Sequence, residues 1–527
     1  MRIEKISYKN THLFSKLLLD YMYEPEKIDS LYSYKSSIDQ ISAAIDGKSF
    51  TEAQRNLLVN TLLQQDASIS INTRNQIELL NDSKTFTICT AHQPLLMGGP
   101  VYFIHKIASC IQLSRIAKKQ YPDYNFVPIY WIGSEDHDIE EVNHLHLFNK
   151  KIEWQSPKGG PVGKKILDQQ ISALKSVVNE YLGQSQHALE LNTIIEKAYQ
   201  EGTDLTNATR KLVYALFEKE GIVVLDQNDR AFKHQMIDVF QKEIEENASS
   251  KQIASTLTFL ENNYAIQASP REINLFYLTD TLRERIIESE GNYKINNTDL
   301  VFSKEELLKM IEVTPEKFSP NVILRPLYQE TILPNLAFVG GAGEIAYWLQ
   351  LKNIFTANHI AFPMLVMRDM ALYIDEKTWN RFIQKGFSAE DIFKPIHELE
   401  KIFISKNHAT EHIFQHQKDK IIEEYDSIAE KMNELDKTLL ATVQAEKQKI
   451  LNSISMLEAK TYKAFKKKSD EDIAQIHKAK GKLYPNDILQ ERYDNFMMYY
   501  LQFGKEYIPM LIEEMNAWEM ELKLVVY

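Results

Sequence analysis

Cysteine is nearly absent from this chain. Its 527 residues include two, Cys89 and Cys110, too few for a disulfide framework, so both read as small buried apolar residues of a reducing compartment. Cys89 borders a candidate site, and a nucleophilic thiol there is the alternative reading. Long hydrophobic runs are also missing. No stretch is apolar and long enough to span a bilayer, and the opening Met1 to Ser7 has no signal-peptide core, which points to the cytoplasm and away from a membrane. Nor is there a surplus of positive charge: the net charge of −12 argues against a general nucleic-acid surface, because phosphate binding needs clustered Lys and Arg. Lys463 and Lys466 to Lys468 read as a solvated helix end. No solenoid-length repeat and no low-complexity linker divides the chain, whose length suffices for a large core and more than one domain.

What is present starts with a strand and a turn. Thr85 to Thr90 is short and β-branched, which predicts a buried strand, and the amphipathic run from Val101 to about Lys119 predicts a helix. Between them Gly98 and Gly99 let a backbone approach a ligand, while Pro100 suits the first helical position. A helix start of this kind offers N–H groups to an anion, so phosphate or carboxylate is the natural guest. The bland alternative is an ordinary turn. A second strand, Phe126 to Ile132 with Pro128 near its beginning, runs into Glu135, Asp136, His137 and Asp138. Carboxylates this close repel unless a cation, donors or water relieves them, and a substrate ammonium would serve. Asp138 and Glu141 also have the spacing of a capping box. Two strand ends that lead into polar clusters are how an open α/β sheet builds a ligand crevice, and they predict an enzyme.

His137, His144 and His146 raise a metal site, but their spacing is not that of a helical HExxH and no further ligands stand at fixed intervals. No metal site is expected in the protein itself. A rival pattern lies further on: a strand over Leu336 to Val339, Gly341 to Ala346 fitting G-x-G-x-x-A, a helix to about Ala357, and a strand over Pro363 to Met367 before Arg368 and Asp369. That βαβ pattern admits a dinucleotide-binding oxidoreductase.

From about Ser388 to Lys468 there is no glycine and one proline, Pro395. Ile421, Tyr425, Ile428, Met432, Leu435 and Leu439 alternate spacings of three and four, as a coiled-coil seam does. The step to Leu440, Val443, Ile450, Ile454 and Leu457 resembles a stutter. A coiled coil with an interruption, an antiparallel hairpin within one chain, or both, fits this pattern. A non-catalytic helical scaffold is therefore a third functional reading.

Three blocks then carry a resemblance. The first is His92-Gln93, Gly99 to Tyr102, Lys106 and Trp131 to Asp138; the second is Phe318 to Pro326, Gln329, Leu333-Pro334 and Val339 to Tyr347; the third is Leu483 to Asn486 with Leu489 to Arg492. In order and spacing, over nearly the whole chain, they resemble the bacillithiol-biosynthesis cysteine-adding enzymes, the BshC family. The chain departs from that pattern at Thr90-Ala91-His92-Gln93, where Thr-Gly-Gln-Gln or something close is expected, and at Gly133-Ser134. The resemblance implies an α/β fold with a Rossmann-like nucleotidyltransferase-type core, inserted connecting segments and an α-helical coiled-coil domain. It implies joining of the cysteine carboxylate to the amine of glucosaminyl-malate, ATP with Mg2+ as the expected activating nucleotide, and a homodimer formed through the coiled coil.

In that picture Thr90, His92, Gln93, Gly98, Gly99, Pro100, Lys106, Gly340, Gly341 and Glu344 hold the anionic groups of the nucleotide. Glu135 or Asp136 holds the cysteine ammonium, and His137 accepts a proton from the attacking amine. Tyr102, Trp131, Asp138, Arg325 and Arg368 form the substrate side, the two arginines as partners for malate carboxylates or, alternatively, for salt bridges. The expected organisation is a helical region over 1–80 packing on the core, with Thr51 and Gln54 as a capping box; an α/β core over 81–375 with insertions near 150–205 and 230–320; a helical coiled coil over 376–470; and 471–527 returning to the core.

Overall fold

A computed structural model describes residues 2–66, 69–408 and 414–527. The chain forms two units, one of Ser7–Ala371 with Gln490–Lys523, the other of Leu372–Leu489 with both chain ends.

The larger unit is built on five parallel strands: β1 (Thr85–His92), β2 (Asn125–Ile132), β3 (Val223–Asp226), β4 (Asn335–Gly340) and β5 (Met364–Met367). Their order is β5-β4-β1-β2-β3. The strands read as nearly continuous apolar runs because helices cover both faces of a parallel sheet. Phe86, Ile88, Val339 and Val366 accordingly pack into one core with Cys110 and Leu113 of the first crossover helix, α1 (Tyr102–Gln120). Pro128 costs little inside β2, since the pairing of β2 with β3 begins only at Ile129. Both cysteines are buried, with the Cys110 thiol 3.0 Å from the Ile88 carbonyl, and burial pushes the Cys89 thiol far above its ordinary range, which suits packing and not nucleophilic attack.

This order has a functional consequence. From β1 the chain moves to β2 and β3 in one direction, and β4 and β5 lie on the other side of β1. The sheet therefore has its switch point between β1 and β4, where the connections diverge and leave a crevice beyond the carboxyl ends. The rival βαβ pattern is present as read: β4, two short helices, α2 (Ala342–Trp348) and α3 (Lys352–Ala357), then β5. The insertions carry structure of their own. The first contains the helices Gln170–Leu182 and Gln186–Ala198. The second forms an antiparallel five-stranded sheet in which Leu275–Leu278 lies between Arg283–Ser289 and Phe318–Pro320. In the helical region before β1, Thr51 and Gln54 do form a capping box.

The turn from β1 to α1 differs from the expectation. Pro100 precedes the helix, which starts at Tyr102. The turn is closed by a segment of the same unit far along the chain: Asn495 donates to the Met97 and Gly99 carbonyls at 3.0 and 2.7 Å, and the Val101 N–H donates to the Asp494 carbonyl at 2.8 Å. Gly98 and Gly99 are needed for φ of 81° and 50°, so their freedom serves a tight turn packed beneath other residues.

In the smaller unit, the heptad region is a hairpin of α4 (Gln415–Leu435) and α5 (Leu440–Lys468). Lys418 pairs with Glu458 and Lys447 with Asp426, each at 2.6 Å, which fixes an antiparallel register. The apparent stutter between Leu439 and Leu440 is the turn of the hairpin. There Asp436 accepts a hydrogen bond from the Thr438 N–H at 2.8 Å, and the seam changes phase because the chain reverses. Among the described residues no helix is long and apolar enough to cross a membrane.

The turn yields a test. A Cβ at Gly98 would stand 2.9 Å from the Phe496 ring in a left-handed backbone conformation, so Gly98→Ala should lower the unfolding free energy by about 2 kcal/mol. Urea titration monitored by circular dichroism measures it, and an unchanged midpoint would contradict this account of the turn.

Candidate active-site cleft

A cavity of about 830 Å³ opens at the β1/β4 switch point, within the larger unit. That volume suits a small organic ligand. Its floor comes from strand ends: His92 ends β1 and Gln93 follows it, Trp131 and Gly133 lie at the end of β2, Gly341 to Glu344 follow β4, and Arg368 follows β5. The antiparallel insertion supplies the opposite wall with Arg271, Phe276, Arg283 and Arg285, and Arg492 completes the rim.

The end of β1 is a closed network. The His92 ring meets the Gln93 carbonyl at Nδ1 (3.1 Å) and the Tyr102 hydroxyl at Nε2 (2.8 Å). Burial, and then the Lys106 charge, push this imidazole down to about 4, so it is neutral at neutral pH. The Gln93 amide donates to Asp136 and to Glu141, both at 2.8 Å. Lys106 is not the solvated helix lysine that its position suggests. It is buried, donates to the Ala91 carbonyl at 2.7 Å and pairs with Glu344 at 2.5 Å. Burial works to raise the Glu344 carboxyl, but the Lys106 charge outweighs it and holds the group ionised.

The arginines divide into paired and free. Arg368 is gripped by both carboxylate oxygens of Glu491, at 2.9 and 2.5 Å. Arg283 lies over the Phe276 ring at 4.0 Å and reaches His137 Nδ1 at 2.7 Å and Asp136 at 3.6 Å. Burial opposes ionisation of Asp136, yet the neighbouring His137, whose backbone N–H donates to it at 2.7 Å, and the Arg283 charge together carry its carboxyl well below the usual range. Arg325 bonds to Gln329 (3.0 Å) and the Tyr347 hydroxyl (3.3 Å) and stacks near Trp348. Arg271, Arg285 and Arg492 line the cavity with no carboxylate partner among the described residues. In a chain of net charge −12, this cleft is a local concentration of uncompensated cations, which selects an anionic guest.

Several expected site residues take other places. Glu135 is fully buried and ion-paired to Lys233 at 2.6 Å, so Lys233, not a substrate ammonium, relieves its charge. His137 is not among the cavity-lining residues, and its Nδ1 already accepts a hydrogen bond from Arg283, which removes that lone pair as a proton acceptor. Asp138 caps the short helix Ile139–Val142, accepting from the Glu140 and Glu141 N–H groups. The Glu141 carboxylate turns to Gln93 instead of closing a capping box.

The anion positions change as well. Thr90 is buried and donates to the Val339 carbonyl at 2.8 Å, joining β1 to β4. Gly98, Gly99 and Pro100 lie outside the cavity lining, because the Asp494–Asn495 segment takes up the turn's backbone groups. Gly340 is buried at the end of β4. At the following helix start the Gly341 N–H donates to Glu344 Oε2 at 2.8 Å, so the anion held there is the chain's own. Trp131 lines the floor and donates to Gln227 at 2.6 Å. The sequence reading did not single out Arg271, Arg283, Arg285 and Lys233, which sit in no motif, and it gave Glu141 a capping role only. Glu491 and Arg492 fall inside the third block, a signal that was legible but had no role attached.

Comparison with known proteins follows from this geometry. Residues 1–369 match the family described as bacillithiol biosynthesis BshC, N-terminal Rossmann-like domain, and residues 371–527 match its C-terminal coiled-coil domain. A protein of Flavobacterium johnsoniae named "Putative cysteine ligase BshC" is 38% identical over 529 residues, covering 100% of both chains. Proteins of the same name from Flavobacterium psychrophilum and Christiangramia forsetii are 38% and 36% identical; the first covers 98% of each chain, the second 99% of this chain and 98% of its own.

Two outcomes test the site's electrostatics. Glu135→Gln should destabilise the protein by about 3 kcal/mol by stranding the buried Lys233 charge, and adding Lys233→Met should recover most of the loss; denaturant titration of both variants decides. The His92 ring must stay neutral in the folded state down to about pH 4, while in the unfolded chain it takes up a proton near 6.5. Its contribution is therefore full above pH 6.5 and lost as pH falls toward 4. His92→Gln should flatten the pH dependence of the unfolding free energy, measured by urea titration, by about 3 kcal/mol across that window.

Proposed function

We infer the chemistry from membership: the chain belongs to the BshC family of bacillithiol biosynthesis, and on that premise it is a ligase that forms an amide bond between the carboxylate of cysteine and the amine of glucosaminyl-malate. The observation that carries this reading is the cationic cleft at the switch point of an otherwise acidic protein. An ionised carboxylate is a poor electrophile. ATP, when bound, supplies the activating adenylyl or phosphoryl group.

The residues present suit such anions. Arg271, Arg285 and Arg492 offer guanidinium forks that match phosphate and carboxylate oxygens. Arg325 binds a malate carboxylate from the floor, and Arg368, its fork taken by Glu491, lies beside it on the floor. Asp136 and Glu141, bridged by Gln93, are the carboxylates that face the cleft toward the cysteine ammonium. Exposed apolar side chains on the hairpin, Leu435 at 81% and Met456 at 62%, support a homodimer formed through its outer face. The cytoplasm is the compartment in which this chemistry takes place.

The oxidoreductase reading meets a physical obstacle. A dinucleotide pyrophosphate needs the helix start after β4, and Glu344 accepts the Gly341 N–H there. Asp369, the acid that would hold a ribose, is fully buried against Lys523 at 2.9 Å. A scaffold role alone leaves the free cations of the cleft without purpose.

Incubation of the protein with cysteine, glucosaminyl-malate, ATP and Mg2+, followed by mass spectrometry, tests the reading. The expected outcome is the amide-linked thiol product, with AMP if cysteine is adenylated and ADP if an acyl phosphate forms. Product absent under every nucleotide would overturn it.

A further inference from the structure

Among the described residues, one buried donor of a cleft-lining side chain has no hydrogen-bond partner. Arg368 is 2% exposed and lines the cavity floor. Its two terminal nitrogens bond to the chain's own acceptors: Nη1 donates to Glu491 at 2.9 Å and to the Asp369 carbonyl at 2.8 Å, and Nη2 donates to the other Glu491 oxygen at 2.5 Å. Its Nε is buried without any hydrogen-bond partner. Buried polar groups left in this state are few, and each calls for a cause.

Gly341 is the glycine that stands beside Nε. A Cβ on Gly341 would stand 3.7 Å from Arg368 Nε and 3.4 Å from the Glu344 carboxylate. The Gly341 backbone, at φ −76° and ψ 172°, is open to any residue, so its conformation does not require glycine. Glu491, held in turn by His105 at 3.3 Å, and the Tyr102 ring 5.3 Å from the guanidinium set the plane in which Nε points.

We propose that Arg368 Nε–H, unpartnered beside Gly341, is a fixed single-donor seat for one oxygen of a substrate anion, carboxylate or phosphoryl, which displaces the contact of Gly341 on it as it binds, and that Glu491 is the positioning residue that aims it. The proposal rests on the ligase reading only for naming the two sources, the malate group and the nucleotide. A charge-assisted bond to one oxygen contributes about a tenfold gain in affinity.

The test is isothermal titration of the full chain with malate, inorganic pyrophosphate and ATP, in wild type, Gly341→Ala and Glu491→Gln. Gly341→Ala meets its neighbours at ordinary contact distance and should melt near wild type. It should weaken either malate, or pyrophosphate together with ATP, by about tenfold and leave the other class within twofold; the class affected identifies the oxygen that sits there. Glu491→Gln should weaken the same class, and in the coupling assay its effect should fall on the KM of that substrate more than on kcat. Equal weakening of both classes, wild-type binding by Gly341→Ala, or no binding of any probe to wild type would overturn the seat. If Gly341-sensitive binding persists while no amide product forms, the ligase reading falls and the seat stands.

Discussion

Removing charge from water is costly, and the larger unit is organised around meeting that cost by pairing. Lys233 with Glu135, Lys106 with Glu344, Arg368 with Glu491 and Lys523 with Asp369 each join a buried cation to a carboxylate. Breaking such a pair from one side strands a charge, which is why each behaves as a unit. The same constraint makes the exceptions informative. Arg271, Arg285 and Arg492 are left without carboxylates on the wall and rim of one cleft, where a bound anion can supply what the chain does not.

Topology decides where that cleft lies. A five-stranded parallel sheet whose order turns at β1 and β4 leaves room at only one such place, and residues that follow all five of its strands converge there. The antiparallel insertion then closes a wall over it with Arg283 stacked on Phe276. A shared geometry thus explains two facts: the floor is rigid, because it is made of strand ends, and the opposite wall is rich in guanidinium, because it comes from a segment with no part in the sheet.

The strands, the hairpin helices and the family were legible in the sequence, since each rests on local pattern. Thr85 to Thr90, Phe126 to Ile132, Leu336 to Val339 and Pro363 to Met367 are all recovered as core strands within one or two residues. The site was legible in outline: His92, Gln93, Trp131, Asp136, Arg325, Gly341 and Arg368 do line one cavity. Glu135 was misread because acidic neighbours in sequence need not share a side of the backbone. Its partner Lys233 lies far along the chain, on a helix that no motif marks. The pairing of Lys106 was out of reach for the same reason, as its helical position says nothing of the Glu344 that follows β4.

Local sequence determined what depends on near neighbours: the apolar period of the strands, the glycines that allow positive φ at the β1 turn, the heptad spacing, and the three motif blocks that carry the family. Tertiary structure alone decided which charges are neutralised. Pairing is set by distances between residues far apart in the chain, such as Arg368 and Glu491, and a carboxylate becomes a substrate contact or an internal counter-ion according to whether folding brings a cation within about 4 Å of it.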